Sequence, residues 1–458
     1  MYSNAGRAQE RPLPPASREG HLAAGVPGSV AGLWALHQRL GSTPWAELLA
    51  PAIELAERGF AVDERLALAI TDAERKLERF PATRGLLLPE GRPPRPGEVL
   101  DNPDLARTLR RIAEQGPAGF YGGVTAELLT REMERGGGIM TLADLESYAP
   151  RWRAPIELEY RGHTIVSMPP PSSGGVALAL IANMLRGDSI GAGIYHSPRH
   201  IHLLAEAMRR AFADRNALLG DPDFVSVPLG PLLSPAYGVE RRSGFTSAAT
   251  PSSQVAEGLP RPEGEHTTHL AVVDREGAAV SMTTTINDFF GSGVTVTGAG
   301  FLLNDEMDDF TTEPGAPNLY GLVQGEANAI APRKRMLSSM APTLVLDADG
   351  AVRAVAGARG GPRIITATWQ VLSNILDFGM DASVAVRAPR VHQQWYPDEL
   401  LLERGGFSQD QSAGLEALGY ALRVVPDLAS APVIARDPAT GDWTAAPDPR
   451  RGGAAAGD

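Results

Sequence analysis

The sequence predicts an α+β protein in which sheets are covered by layers of helices. Three observations carry this. From Pro27 to Tyr148 apolar side chains recur at three- and four-residue spacing, the period of helices packed on one face. From Ile156 the pattern changes to the two-residue alternation of strands. The last third then alternates strand and helix stretches, so helix-rich and sheet-rich segments succeed one another.

Taken in order, helices are expected over Val30–Leu40, Trp45–Arg58, Asp63–Phe80 and Asp104–Gln115. Ile156–Tyr160 alternates, Arg161-Gly162 turns, and His163–Met168 returns as a strand. Pro169-Pro170-Pro171-Ser172-Ser173-Gly174-Gly175 breaks the pattern before an apolar helix over Val176–Leu185. A long amphipathic helix follows, with Ile201, Leu204, Ala205, Met208 and Phe212 on one face. Gly244 to His266 is rich in Ser, Thr, Pro, Gly and charge and reads as a mobile linker. Thr343–Leu346 and Val352–Ala356 are expected strands, and Arg363–Asp377 a helix.

Composition excludes several function classes. At 458 residues, with 43% hydrophobic and 21% charged, the chain suits a large layered core of ordinary globular type. A formal net charge of -12 argues against a nucleic-acid or anionic-membrane partner, since both need basic surface. No apolar run reaches membrane-spanning length. With Cys at 0 there is no disulfide, thiolate metal site or cysteine nucleophile. The opening Met1-Tyr2-Ser3-Asn4-Ala5-Gly6-Arg7 lacks the basic and apolar regions of a signal peptide.

The junction of linker and strand at Thr267 is the most informative point. Thr268 to Asp274 is β-branched and apolar enough for a half-buried strand beginning at Thr267. Cleavage before Thr267 would expose an α-amine beside a hydroxyl. Such an amine titrates near ~7.7–8, so one residue would be both nucleophile and base. Arg275-Glu276-Gly277 reads as a three-residue hairpin loop, leading to a second strand over Ala278–Asn287. Pairing Asp274 with Ala278 sets Thr267 opposite Thr285. A different loop length would move the partner by one, still among Thr283 to Thr285. Opposed residues have Cβ atoms about 4.5–5.5 Å apart, within reach of a hydroxyl hydrogen bond. Threonines also suit any strand, which leaves an ordinary structural reading open.

Other segments offer weaker signals. Gly360-Gly361-Pro362-Arg363 lies between strand and helix, where exposed N–H groups can hold an anion or simply make a tight turn. Asp305-Glu306-Met307-Asp308-Asp309-Phe310 would attract a cationic group, although a solvated acidic loop is the common explanation. It lacks the ligand alternation of a calcium loop. His196, His200 and His202 have no fourth ligand at a fitting spacing and open a helix expected to pack by its other face, so no metal is expected. Neither phosphate-binding glycine motif is present.

An ordered series of motifs resembles the gamma-glutamyltranspeptidases (glutathione hydrolases) of the N-terminal-nucleophile hydrolase superfamily. It runs through Leu22–Gly28, Ser167–Gly175, Asp214-Arg215, Gly220–Phe224, Thr267-Thr268-His269, Leu303–Phe310, Pro317–Gly321 and Leu337–Met340. It closes with Gly360–Arg363, Ala388-Pro389-Arg390 and Asp448-Pro449-Arg450. The resemblance implies a four-layer αββα sandwich made by self-cleavage between His266 and Thr267, giving a large subunit up to 266 and a small one of 267–458. It implies Thr267 as nucleophile, Thr285 as its hydrogen-bond partner, and Gly360 and Gly361 as oxyanion hole. Asn287, Glu306 and Asp309 would hold the glutamyl ammonium, Ser338 and Ser339 would face the α-carboxylate, and Tyr320 matches a lid tyrosine of some bacterial members. The implied activity is cleavage of glutathione and related gamma-glutamyl compounds, with transfer to water, an amino acid or a peptide, and without a cofactor.

Two departures stand out. Pro362 replaces a serine found in many members, harmlessly for a first helical position. The family's N-terminal Arg-Glu-x-Ala-Pro motif, whose arginine pairs with the α-carboxylate, is not matched by Arg7, Arg11 or Arg18. Losing such a contact costs about 1.5–3 kcal/mol. The expectation is an N-terminally truncated form of an enzyme whose relatives are exported to the periplasm or beyond. The alternatives are an inactive or binding-only remnant and a related cephalosporin or glutaryl acylase.

Overall fold

The computed structural model describes residues 16–255, 267–311 and 325–457, which form two compact units. One comprises Met1–Arg151 with Phe289–Met307, the other Trp152–Asp288 with Asp308–Asp458. Each unit therefore draws on sequence from both sides of residue 266.

The first unit is helical. Helices span Ser29–Leu40, Trp45–Arg58, Glu64–Glu78 and Pro103–Gln115, within two residues of the expected limits. Asp63 and Asn102 cap the last two through their side chains. A further helix spans Gly123–Gly136, within the stretch that reads as mainly helical. Leu129 and Met133 on that helix join Ile112, Phe120, Val294, Val296 and Leu303 in one core. Thr83, Asn102 and Thr108 hydrogen-bond the carbonyls of Gly293, Gly300 and Ala299, fixing the Phe289–Met307 segment in this unit.

The second unit carries the sheets. Strands β1 (Ile156–Tyr160) and β2 (His163–Ser167) form the expected hairpin, followed by α1 (Gly174–Leu185) and α2 (Pro198–Leu218). A two-stranded ribbon follows, β3 (Thr268–Val273) with β4 (Ala279–Thr284). Then come β5 (Thr343–Leu346), β6 (Val352–Ala356), α3 (Arg363–Leu376), β7 (Val433–Arg436) and β8 (Trp443–Ala446). Six strands make an antiparallel sheet in the order β8-β7-β6-β5-β2-β1. Every residue of α1 is buried, as are Ile364–Ile375 of α3, and both belong to the main core with the inner residues of this sheet. The β3–β4 ribbon is tied to the sheet by Ser281, whose Oγ donates to Ala356 O (2.9 Å) and accepts from Thr343 N–H (2.9 Å).

Two expectations fail here. Helix α2 has no solvent face: His200–Asn216 are buried all round. Its charges are compensated internally, Glu206 pairing with Arg210 (2.6 Å) and Asp214 with Arg241 (2.9 Å). Nor is Gly244 to Val255 a loose linker. Ser252 is fully buried, its N–H donates to Asp398 Oδ2 (2.7 Å), and its carbonyl accepts from Trp395 Nε1 (3.0 Å). The rest of that stretch, with His266, lies outside the described residues.

Candidate active site

The β3–β4 register is the one derived from the sequence. Thr268 pairs with Thr284 and Val273 with Ala279, and Asp274 N–H donates to Ala278 O (2.9 Å) across the loop. Gly277 takes φ 90°, the left-handed turn geometry that favours glycine. Continuing the pairing by one residue sets Thr267 opposite Thr285. Both line one pocket of the second unit, together with Asn287, Asp309, Ser338, Ser339 and Gly361.

Local structure explains how each side chain reaches that pocket. Thr285 Oγ1 accepts the backbone N–H of Asn287 (2.8 Å), closing a tight turn at the end of β4. Asn287 sits at φ 71°, a left-handed position that asparagine tolerates better than most residues, and is buried. Asp309 is held from behind. Asn328, fully buried, donates from Nδ2 to Asp309 O (2.7 Å) and accepts Leu337 N–H at Oδ1 (2.9 Å). One amide thus brings the acidic turn next to the Ser338-Ser339 segment.

The serine pair rests on the proline–serine–glycine stretch that precedes α1. Ser173 N–H and Oγ both donate to Ser338 O (2.8 and 2.7 Å), and Ser338 N–H donates to Pro171 O (2.9 Å). Gly174 is required by space, since a Cβ there would lie 2.2 Å from Met340 O. Behind the pair stands Arg215, almost wholly buried at the end of α2. Its guanidinium donates to Ser173 Oγ (3.0 Å), Asn216 Oδ1 (2.8 Å) and Ser339 Oγ (3.1 Å), and it lines the pocket. Residue-by-residue reading missed Arg215 as a pocket residue. The available signal was the Asp214-Arg215 pair of the motif series.

Gly360 and Gly361 join β6 to α3, both with positive φ (136° and 55°), and Gly361 lines the pocket. Gly360 is not among its lining residues. Glu306 belongs to the first unit, where its N–H donates to Asn304 Oδ1 (3.0 Å) and burial pushes its carboxyl up to about 7. The acidic run is not a solvated loop: Asp305 and Asp308 are buried. Tyr320 falls outside the described residues.

The histidines singled out by spacing are engaged in packing and hydrogen bonds. His202 hydrogen-bonds Tyr420 Oη and Thr246 O through its two ring nitrogens (2.7 and 2.9 Å). His200 Nδ1 accepts His196 N–H (3.1 Å), and burial lowers the pKa of both His196 and His200 to about 4. Among the described residues no three His, Cys, Asp or Glu side chains gather at a metal-binding spacing.

A family model for gamma-glutamyltranspeptidase matches residues 1–458. The chain belongs to that family. It is 46% identical over 406 residues to a glutathione hydrolase proenzyme of Pseudomonas sp. (strain A14), covering 88% of this chain and 70% of the relative. It is 42% identical over 433 residues to the glutathione hydrolase proenzyme of Escherichia coli (strain K12), covering 94% and 74%. The crystal structure of a cephalosporin acylase from Bacillus halodurans superposes with a TM-score of 0.83 at 29% identity, over 97% of this chain and 79% of that one. This gamma-glutamyltranspeptidase homologue is thus an enzyme of the N-terminal-nucleophile type with the αββα fold of that superfamily.

Proposed function

We propose that the chain is a precursor that cleaves itself between His266 and Thr267 and then acts as a gamma-glutamyl hydrolase and transferase. The observation that carries this reading is the content of one pocket: opposed Thr267 and Thr285, the carboxylate of Asp309, and a serine pair backed by the buried cation Arg215. A gamma-glutamyl group presents an α-ammonium and an α-carboxylate, so it needs one negative and one positive pole. Asn287 and Asp309 take the ammonium. Ser338 and Ser339 take the carboxylate.

The reaction follows from these groups. After cleavage the α-amine of Thr267 accepts the proton of its own hydroxyl as Oγ bonds to the γ-carbonyl carbon. Thr285, opposite Thr267 on the neighbouring strand, hydrogen-bonds the nucleophile. The carbonyl oxygen becomes an oxyanion held by the N–H groups of Gly360 and Gly361. Collapse breaks the C–N bond, the α-ammonium returns its proton to the leaving nitrogen, and a glutamyl ester remains on Thr267. With glutathione the departing amine is cysteinylglycine. Water then releases glutamate, or an amino acid or peptide amine forms a new γ-amide.

The likeness to the cephalosporin acylase favours a second reading, hydrolysis of a glutaryl side chain. A glutaryl group has no α-ammonium to place against Asp309, which ranks this reading second. Purified protein offered a γ-glutamyl anilide and a glutaryl anilide separates them. Aniline release from the first supports the proposal, and release from the second alone overturns it. A self-cleaved protein inert to both is a remnant that has lost catalysis.

A further inference from the structure

The histidine two residues beyond Thr267 takes no part in the reaction as derived, yet its surroundings are built around it. His269 shares the inner face of β3 with Thr267, because residues two apart on a strand point the same way. Its Nδ1 is hydrogen-bonded to Thr283 Oγ1 (3.0 Å) on the opposite strand, where the two residues are direct partners. The imidazole lies against Gly357, directly after β6. A Cβ added to Gly357 would fall 2.2 Å from His269 Cε1, 2.6 Å from Nδ1 and 2.8 Å from Nε2.

Two details argue that this seat is made for a histidine. Gly357 does not have a positive φ, so conformational freedom does not account for the glycine; the space for the ring does. His269 Nε2 is buried without a hydrogen-bond partner, a cost that a leucine in the same slot would avoid. Packing alone therefore selects against histidine here, and the Thr283 bond is the polar contact that favours it.

The seat also joins two parts of the site. Gly357 lies three residues before Gly360, on the connection from β6 to α3. On the ribbon's inner face the rungs run from Thr267–Thr285 through His269–Thr283 to Ser281, which is bonded to β5 and β6. The outer face is largely in solvent: Leu270, Val272 and Val280 are 40%, 52% and 45% exposed. Inner-face contacts thus set where the ribbon rests on the sheet.

We propose that His269 is a positioning residue: seated on Gly357 and bonded to Thr283, it fixes the nucleophile strand against the Gly360-Gly361 connection. This rests on Thr267 being the nucleophile. The test compares His269→Leu, His269→Asn, Thr283→Val and Gly357→Ala with wild type, by the extent of self-cleavage and by steady-state kinetics on a γ-glutamyl anilide. His269→Leu should lower kcat roughly tenfold with KM nearly unchanged, the scale of one lost hydrogen bond in the transition state. His269→Asn, whose amide can reach Thr283 from the Nδ1 position, should recover most of that loss. A folded His269→Leu protein with wild-type kcat, or equal losses for Leu and Asn, would overturn the proposal. Imidazole 15N shifts of histidine-labelled protein read the seat without using activity. One fixed neutral tautomer that is lost in Gly357→Ala supports it even if the wild type proves inert to the anilide, whereas a freely averaging His269 ring refutes it.

Discussion

Ser339→Ala tests the positive pole of the pocket. Ser339 Oγ accepts a guanidinium N–H from Arg215 (3.1 Å), so its own proton is free to point at a carboxylate and is polarised by the cation behind it. A hydrogen bond involving a charged partner contributes about 1.5–3 kcal/mol. At about 1.4 kcal/mol per factor of ten, KM for a γ-glutamyl anilide should rise about 10- to 140-fold. The chemistry at Thr267 is untouched, so kcat should stay within about threefold. The assay is initial-rate kinetics on two substrates, the γ-glutamyl anilide and its 4-aminobutanoyl counterpart, which lacks the α-carboxylate. The second substrate should bind poorly to wild type and be insensitive to the substitution. Equal losses on both substrates, or an unchanged KM on the first, would refute a carboxylate role for Ser339.

Three further outcomes are expected. Thr285→Val should lower kcat about 2- to 12-fold with little change in KM, because it removes one neutral hydrogen bond to the nucleophile; an unaltered kcat would separate Thr285 from the chemistry. Burial pushes the Glu306 carboxyl up to about 7, so it is neutral below that pH and anionic above it. Unfolding returns this carboxyl to the ordinary range, so stability should fall as pH rises from about 4 to about 7, a loss that Glu306→Gln should reduce; a urea midpoint equally pH-dependent in Glu306→Gln and wild type would contradict the raised carboxyl. Ser252→Ala should cost about 1–3 kcal/mol of stability, because the hydroxyl of this buried residue bridges Arg209 and Trp395 O. A urea midpoint equal to that of wild type would show that the segment before the cleavage point is not pinned as described.

Elements defined by short-range pattern were legible in the sequence. Trp45–Arg58, Ile156–Tyr160, Thr343–Leu346 and Val352–Ala356 end where their period or turn residues say they end. The ribbon register was legible too: the three-residue loop with a terminal glycine predicts it among the neighbouring registers that a different loop length would give. What stayed hidden depends on distant partners. The polar positions of α2 looked like a solvent face, but Glu206 and Arg210 pair inside the core, and no periodicity distinguishes a compensated charge from a solvated one. Ser252 reads as linker until Arg209, Trp395 and Asp398 surround it. Arg215 and His269 appeared only as members of motifs. Their roles come from Ser339 and Gly357, each far away along the chain.

Self-cleavage before Thr267 is the central claim, and the intact mass of the purified protein tests it most directly. On incubation the wild type should resolve into two species that split between His266 and Thr267, while Thr267→Ala stays whole. A folded wild-type chain that remains a single species, or a Thr267→Ala chain cut at the same bond, would contradict the account.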